Sequence, residues 1–335
     1  MIKIYIILLI IIIFLYCIYK YNNKNIENFD GEDENQDRVK YYMGDLYNKK
    51  KKIKISKNDL KSNFINPDKL YIYNYFKVHK FSTQSIQHYI QDFEKIINKK
   101  NYLKFRRFIC KFGDINEIQD KPTIVKSRRI NNKENSIIFK LNNIRHFDII
   151  RNYNWFIINW EDKINEPVWR GTTTGYDNKD RLILVQKYYK KYNIGFNDLV
   201  QNYTAEDDKE IYIKNDMTYY DQLKYKYLIS IEGNDVSTGL KWMLVSNSVV
   251  LMKKPTMESW IMEDKLKPYV HYVPLNDNFD NLEEIVEWCI ENDDKCKEIS
   301  KNATNYMRKF FNTKNEKKIL LEILERYQKN VKFIY

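Results

Sequence analysis

Three polar clusters in this 335-residue chain combine residue types that can do chemistry. The first is Val168-Trp-Arg-Gly-Thr-Thr-Thr-Gly175. Glycine permits close backbone approach, three hydroxyls can donate to anionic oxygens, and Arg170 offers a forked cation, so phosphate binding is one reading. A tight turn held by a structural arginine is the other, and spacing leaves both open. The second cluster is the loop Gly233-Asn-Asp-Val-Ser-Thr-Gly239. Ligands of parallel α/β sheets collect beyond the carboxyl ends of strands, where the next helix presents free N–H groups. Lys241, in the first turn of that helix, suits a diphosphate; a capped connection with an exposed lysine fits the spacing too. The third is Asp114, which follows the apolar run Phe108-Ile-Cys and Gly113. Its carboxylate emerges at a strand end, and by spacing alone it is a turn-forming aspartate. His146, Trp155 and Trp160 take packing or surface roles. No GxxxxGK[ST] occurs, and no GxGxxG follows a strand.

These clusters need a scaffold. The run 225–232 (YKYLISIE) predicts a compact strand, 240–246 a helix and 248–252 a further strand, the grammar of a parallel α/β sheet. The spacing in 181–192 predicts a helix that stops at Asn193-Ile-Gly195. Residues 282–290, 295–311 and 314–327 predict three more helices. In the first half, the short apolar runs Tyr102-Leu-Lys-Phe, Phe108-Ile-Cys and Ser136-Ile-Ile-Phe alternate with turn residues and helical segments, and 154–168 reads as a bridge. Residues 4–19 are uncharged and rich in Ile and Leu, between Lys3 and Lys20. As a helix they would span roughly 24 Å of a ~30 Å hydrocarbon layer, with flanking lysines snorkelling, which predicts a retained single-pass anchor over residues 1–21. Residues 22–60 follow as a polar stalk, acidic and then basic. Residues 61–158 and 159–312 form two domains, and 313–335 a last helical segment.

Composition closes off other classes. Hydrophobic residues make up 43%, enough for real cores, so a disordered chain is excluded. Four cysteines form no CxxC pair and four histidines no HxxxH pair, against disulfide scaffolds, cysteine-rich zinc modules and histidine-based metal enzymes. The net charge of +12 invites a nucleic-acid partner. However, Lys, Asn, Ile and Tyr abound while alanine appears only at Ala205 and Ala303. That skew is what an AT-rich genome writes into any protein. The basic residues are dispersed apart from Lys49 to Lys52, so no nucleic-acid partner is expected.

In order along the chain, FGD at 112–114, VKSR at 125–128, VWRGTTTG at 168–175, KYLISIEGNDVSTGLKWMLVSNSVVLM at 226–252 and LKPYVHYVPL at 266–275 resemble the CAP10-domain glycosyltransferases (family 90). The similarity is greatest to their lipopolysaccharide-modifying bacterial branch, and it extends to protein O-glucosyltransferases and capsule xylosyltransferases. It covers roughly residues 100 to 312.

The resemblance implies an α/β protein of GT-B type, two Rossmann-like halves around a cleft, with the last helix crossing back to the first half. It implies an inverting transfer of a sugar, glucose or xylose from a UDP donor, to a hydroxyl of a glycan or protein. No cofactor beyond the nucleotide-sugar co-substrate and no metal are expected. Asp114 matches the family's aspartate base, which an inverting displacement needs because a neutral alcohol is a poor nucleophile. Arg170, Thr172, Thr173, Thr174 and Lys241 match the donor diphosphate segments; Ser237 belongs to the same donor loop. Glu232, Asn234 and Asp235 are candidates for the ribose or sugar, and Lys126 and Arg128 for the cleft wall. Charge growing on the diphosphate would be met by Arg170, Lys241 and the helix start at 238–241. Eukaryotic members carry further arginines where this chain has Thr173 and Gly239. The expected protein is a membrane enzyme with a lumenal catalytic part; the alternative is an inactive relative that binds carbohydrate.

Overall fold

A computed structural model describes residues 32–55, 64–65, 70–73, 84–150, 158–175, 179–201 and 209–334. The expected anchor at 1–21 lies outside these residues. Among the described residues no helix is long and apolar enough to cross a membrane.

The chain enters through α1 (Glu32–Met43). Val39, Tyr42, Met43 and Leu46 are spaced i, i+3, i+4, i+7, and all four are buried. The stalk expected over 22–60 is therefore corrected for its described part: a single apolar stripe, hidden among charges, docks this segment into the core. β1 (Lys51–Lys54) turns the lysine run into a strand with Ile53 facing inward. β2 (Phe64–Ile65), β3 (Leu70–Tyr73), α2 (Gln84–Ile97), β4 (Phe108–Cys110), β5 (Thr123–Val125), β6 (Ser127–Arg129), β7 (Ser136–Ile138) and the single turn α3 (Asn143–His146) complete the first half. Its sheet runs β2-β3-β4-β5-β7. The β4-β5-β7 ladder is parallel, whereas β2 and β3 join antiparallel, so this half is mixed rather than fully Rossmann-like. Phe93 of α2 packs edge-on against Phe108 and Phe139, at 5.4 and 5.2 Å between ring centres. The apolar run Tyr102-Leu-Lys-Phe is a 3₁₀ turn, in which only Leu103 is buried.

The second half contains β8 (Ile164–Thr172), α4 (Asp180–Tyr188), β9 (Asn193–Asp198), α5 (Tyr219–Leu223), β10 (Tyr225–Ser230), α6 (Leu240–Met243), β11 (Val249–Met252), β12 (Met257–Ser259), β13 (Val273–Pro274), α7 (Leu282–Glu291) and α8 (Asp293–Arg308). Its sheet, β13-β11-β10-β8-β9, is parallel throughout. A parallel strand covered on both faces reads as an unbroken apolar run, which is why β10 and β11 were visible in the sequence. Asn193-Ile-Gly195, expected as a helix stop, opens β9 instead, and the WRGT segment is strand rather than turn.

Two devices join the halves. β6 and β12, one from each half, pair antiparallel with Ser127 opposite Ser259 and Arg128 opposite Glu258. Then α9 (Thr313–Asn330) returns to the first half, where β14 (Val331–Ile334) pairs with β1. The Tyr327 hydroxyl accepts from the Ile109 N–H (3.1 Å) and donates to the Pro122 carbonyl (2.8 Å). One apolar cluster consequently runs from Ile109 and Ile124 through Trp260 to Leu228 and Val250. The cleft is built over a continuous core.

Candidate active site

Gly113, with φ of +112°, takes a left-handed backbone that other residues avoid, and it turns the chain out of β4 so that Asp114 faces β10. Lys126, between β5 and β6, places its Nζ 2.7 Å from Asp114 Oδ1 and 3.2 Å from Asp235 Oδ2. Asp235 also accepts from Ser127 Oγ (2.6 Å) and the Ile115 N–H (3.3 Å). Asn234 donates to Asp114 Oδ2 at 3.1 Å while its own Oδ1 accepts from the Gly175 N–H at 3.0 Å. Lys126 and Asp235 are buried, but the Asp114 side chain is 41% exposed and is the network's outlet to solvent.

The charges are unequal in consequence. Burial pushes Asp114 up, but Lys126 and the Asn234 bond together outweigh it and hold the carboxyl below its ordinary value. Burial dominates at Asp235, which is raised despite Lys126. Lys126 stays firmly charged: burial opposes its charge, yet Asp235, Tyr89 and Asp114 prevail.

Asp114 opens onto a cleft of about 640 Å³ floored by the ends of β8 and β10, the 233–239 loop and α6. Arg170, Thr172, Thr174, Asn234, Asp235 and Ser237 also line it. The other expected residues sit elsewhere. The Thr173 hydroxyl donates to the Val200 carbonyl and accepts its N–H, so it ties β8 to the segment after β9. Glu232 caps Thr256 and Met257 and lines a smaller cavity of about 180 Å³ next to the same loop. Lys241 is fully buried and bonded to Glu263 (3.0 Å) and to the Ser237 carbonyl, because α6 presents that face to the core. Arg128 is likewise enclosed, with Nε 2.7 Å from Glu258 and its Nη atoms on the Tyr41, Tyr42 and Ser136 carbonyls. These side chains hold the loop and the β6–β12 joint rather than facing the cleft. Even Arg170, though it borders the cavity, directs its guanidinium to the carbonyls of Asn215, Trp169 and Asn193 and to Asn193 Oδ1. α6 is a single turn, too short for the helix-start charge expected at 238–241.

Two cleft arginines escaped the sequence reading. Arg181 is the second residue of α4, and its guanidinium lies on the Thr172, Ile231 and Glu232 carbonyls and on Thr174 Oγ1. An arginine in a first turn opposes the helix dipole, and that anomaly was the available signal. Gly233 lies beneath it, and a Cβ there would come within 2.8 Å of Arg181 Nη2, so the guanidinium would have to shift. Arg145, on α3, is exposed at the opposite wall. The neighbouring His146 is buried and held far below its ordinary value by burial and by Lys241, Lys126 and Arg145, in keeping with packing. Among the described residues no group of three or more His, Cys, Asp or Glu side chains is placed to hold a metal ion.

Comparison with known proteins gives this arrangement a family. The family model described as "Glycosyl transferase family 90" matches residues 148–334, more than half of the chain. "O-glucosyltransferase LpsA" of Dichelobacter nodosus is 33% identical over 66% of this chain and 67% of its own length. "Protein O-glucosyltransferase 2" of Danio rerio is 29% identical over 44% of this chain and 29% of its own length, so the chain spans less than a third of that relative. A crystal structure of a glycosyltransferase from Rickettsia africae ESF-5 aligns with 75% of this chain and 84% of its own, at 14% identity and a TM-score of 0.42, too distant to argue from. On the family match and the similarity to LpsA, the chain belongs to glycosyltransferase family 90.

Proposed function

We propose that the protein transfers glucose from a UDP donor to a hydroxyl of a glycan or protein, with inversion at the anomeric carbon and Asp114 as the base. The observation that carries this is the half-exposed Asp114 carboxylate at the mouth of a cleft floored by parallel strand ends. The names of LpsA and the protein O-glucosyltransferases support glucose and an oxygen acceptor. Two sheets facing one cleft support a GT-B arrangement.

In this mechanism the acceptor hydroxyl donates a hydrogen bond to Asp114 and attacks the anomeric carbon from the face opposite the diphosphate. The C–O bond to the acceptor forms as the bond to the diphosphate breaks, and the hydroxyl proton passes to the carboxylate. Lys126 and Asn234 occupy one position on each Asp114 oxygen, which fixes the carboxylate plane and leaves a lone pair for the incoming proton. Cationic groups around the cleft meet the charge growing on the leaving nucleotide. No metal is required by this scheme. The apolar run at 4–19 supports attachment to a membrane, with the catalytic part lumenal; release of the protein by high salt in place of detergent would overturn that attachment.

The test is release of nucleotide from UDP- and GDP-sugars by the full chain in detergent, with and without EDTA, alongside Asp114→Asn. Removing the base should lower the rate by about 10²- to 10⁴-fold and leave nucleotide affinity intact. Equal rates in the variant would remove Asp114 from the chemistry. Saccharide binding with no release from any donor would favour the inactive carbohydrate-binding relative.

A further inference from the structure

The run KKNYLKFRR at 99–107 holds five cations and two aromatics in nine residues, with no acid among them. Uncharged residues interrupt it, so it does not stand out as a charge block along the chain. The fold gathers it. Asn101–Phe105 is the 3₁₀ turn between α2 and β4, and fully buried Leu103 holds that turn to the core. The Leu103 N–H donates to the Lys100 carbonyl and the Arg106 N–H to the Leu103 carbonyl, each at 3.0 Å. With Leu103 turned inward, its neighbours turn out. Tyr102 is 46% exposed and Phe105 74%, the most exposed large apolar side chain among the described residues. Lys99, Lys100 and Arg106 are exposed beside them, and Lys104 and Arg107 are half-buried. An exposed phenyl ring encircled by cations is complementary to an anionic lipid surface, where the ring enters the headgroup boundary and the cations meet phosphate.

Two placements favour lipid as the occupant. Residues 20–31 separate the apolar run at 4–19 from α1, and fully extended they reach at most about 40 Å. α1 lies against α9, where Arg326 donates to Gln36 at 3.2 Å. At the adjacent Glu325 the Tyr102 hydroxyl donates at 2.6 Å, and Lys100 Nζ lies 3.8 Å away. The helix that follows the apolar run and the basic turn therefore meet on one stretch of α9. In addition, β4 leads the chain from this turn to Gly113 and Asp114, so the turn sits at the end of the strand remote from the cleft. Docking through it leaves the cleft open.

We propose that residues 99–107 are a membrane-contact turn, which lays the first half of the protein on the anionic lipid surface that holds the apolar run at 4–19. The turn rests on the membrane attachment proposed above. Phe105 and Tyr102 enter the headgroup boundary while the five cations meet lipid phosphates. Each cation close to such a surface contributes about fivefold to binding, so the grip of the turn weakens with salt whereas that of an inserted apolar run does not.

The experiment measures hydrogen exchange along the full chain in nanodiscs of phosphatidylcholine, alone or mixed with phosphatidylglycerol. It compares the unaltered protein with Phe105→Ser and Lys104→Glu/Arg106→Glu. In the unaltered chain, exchange within 99–107 should slow about fivefold or more in the anionic discs. High salt should abolish the slowing without releasing the protein. Both variants should lose the slowing yet exchange like the unaltered chain elsewhere, which a general loss of structure would not allow. Equal exchange at 99–107 in both lipids, in protein that co-elutes with the discs, overturns the contact turn and leaves the attachment standing. Failure to co-elute with either disc overturns the attachment and the turn with it. Slowing by single-stranded RNA in detergent, with none by anionic lipid, overturns the lipid assignment in favour of nucleic acid.

Discussion

Replacing Lys126 by methionine isolates what the buried network does for Asp114. The ammonium lies 2.7 Å from Asp114 Oδ1 and 3.2 Å from Asp235 Oδ2. At an effective dielectric of about 20, unit charges about 4 Å apart interact by about 4 kcal/mol. Asp114 is 41% exposed, so solvent screens part of this, and loss of the ammonium should raise the Asp114 pKa. The sign follows from the direction of the native shift. Asp114 is lowered in the folded protein, so its charged form stabilises the fold above the ordinary carboxylate range, and this is lost only as pH falls through its own depressed value. A base acts only when unprotonated, so the unaltered enzyme should hold kcat/KM flat through mildly acidic pH. In Lys126→Met the acid limb should move to higher pH. The assay is nucleotide release from UDP-glucose between pH 4 and 8, with circular dichroism at each pH to count folded molecules. Removing one partner of a buried ion pair costs about 3–5 kcal/mol. Lys126→Met/Asp235→Asn removes the buried cation and its buried partner together and serves as the better-folded control. An unmoved acid limb in folded protein would mean that Lys126 does not govern the base, or that the base is not Asp114.

Lys241→Met should destabilise the protein by about 3–5 kcal/mol, because it strands the Glu263 carboxylate in the core, and urea titration would read this directly. UDP affinity of the folded fraction should stay close to that of the unaltered chain, whereas a direct diphosphate contact would lower it at least tenfold. Gly44→Ala tests the docking of α1. Gly44 sits at φ +52°, and a Cβ there would come within 2.5 Å of the Lys133 carbonyl, so a loss of about 1–3 kcal/mol is expected in thermal unfolding. If this segment were a solvated stalk, the melting temperature would not change.

The sequence by itself determined the local elements and the family. The apolar runs of β10 and β11 and the helices α7 to α9 were legible because burial on both faces, or on one helical stripe, leaves a pattern within a few residues of chain. The ordered string from Asp114 to Leu275 carried the family, and the structure brings Asp114, Asn234 and Asp235 together although 120 residues separate the first two. Only the tertiary structure decided which charges reach the cleft. Lys241 and Arg170 satisfy every pattern expected of diphosphate ligands, yet one meets Glu263 in the core and the other is taken up by strand carbonyls. Arg181 and Arg145 carry no such pattern and nevertheless line the cavity. Likewise, α1 and the turn after it looked like a polar stalk because their four apolar residues join a core shared with α9, whose Asn315 bonds Asn35 across 280 residues. Spacing along a chain encodes the face on which a side chain stands. Whether that face meets a carboxylate, a carbonyl or open solvent depends on segments distant in sequence, and only folding sets them beside it.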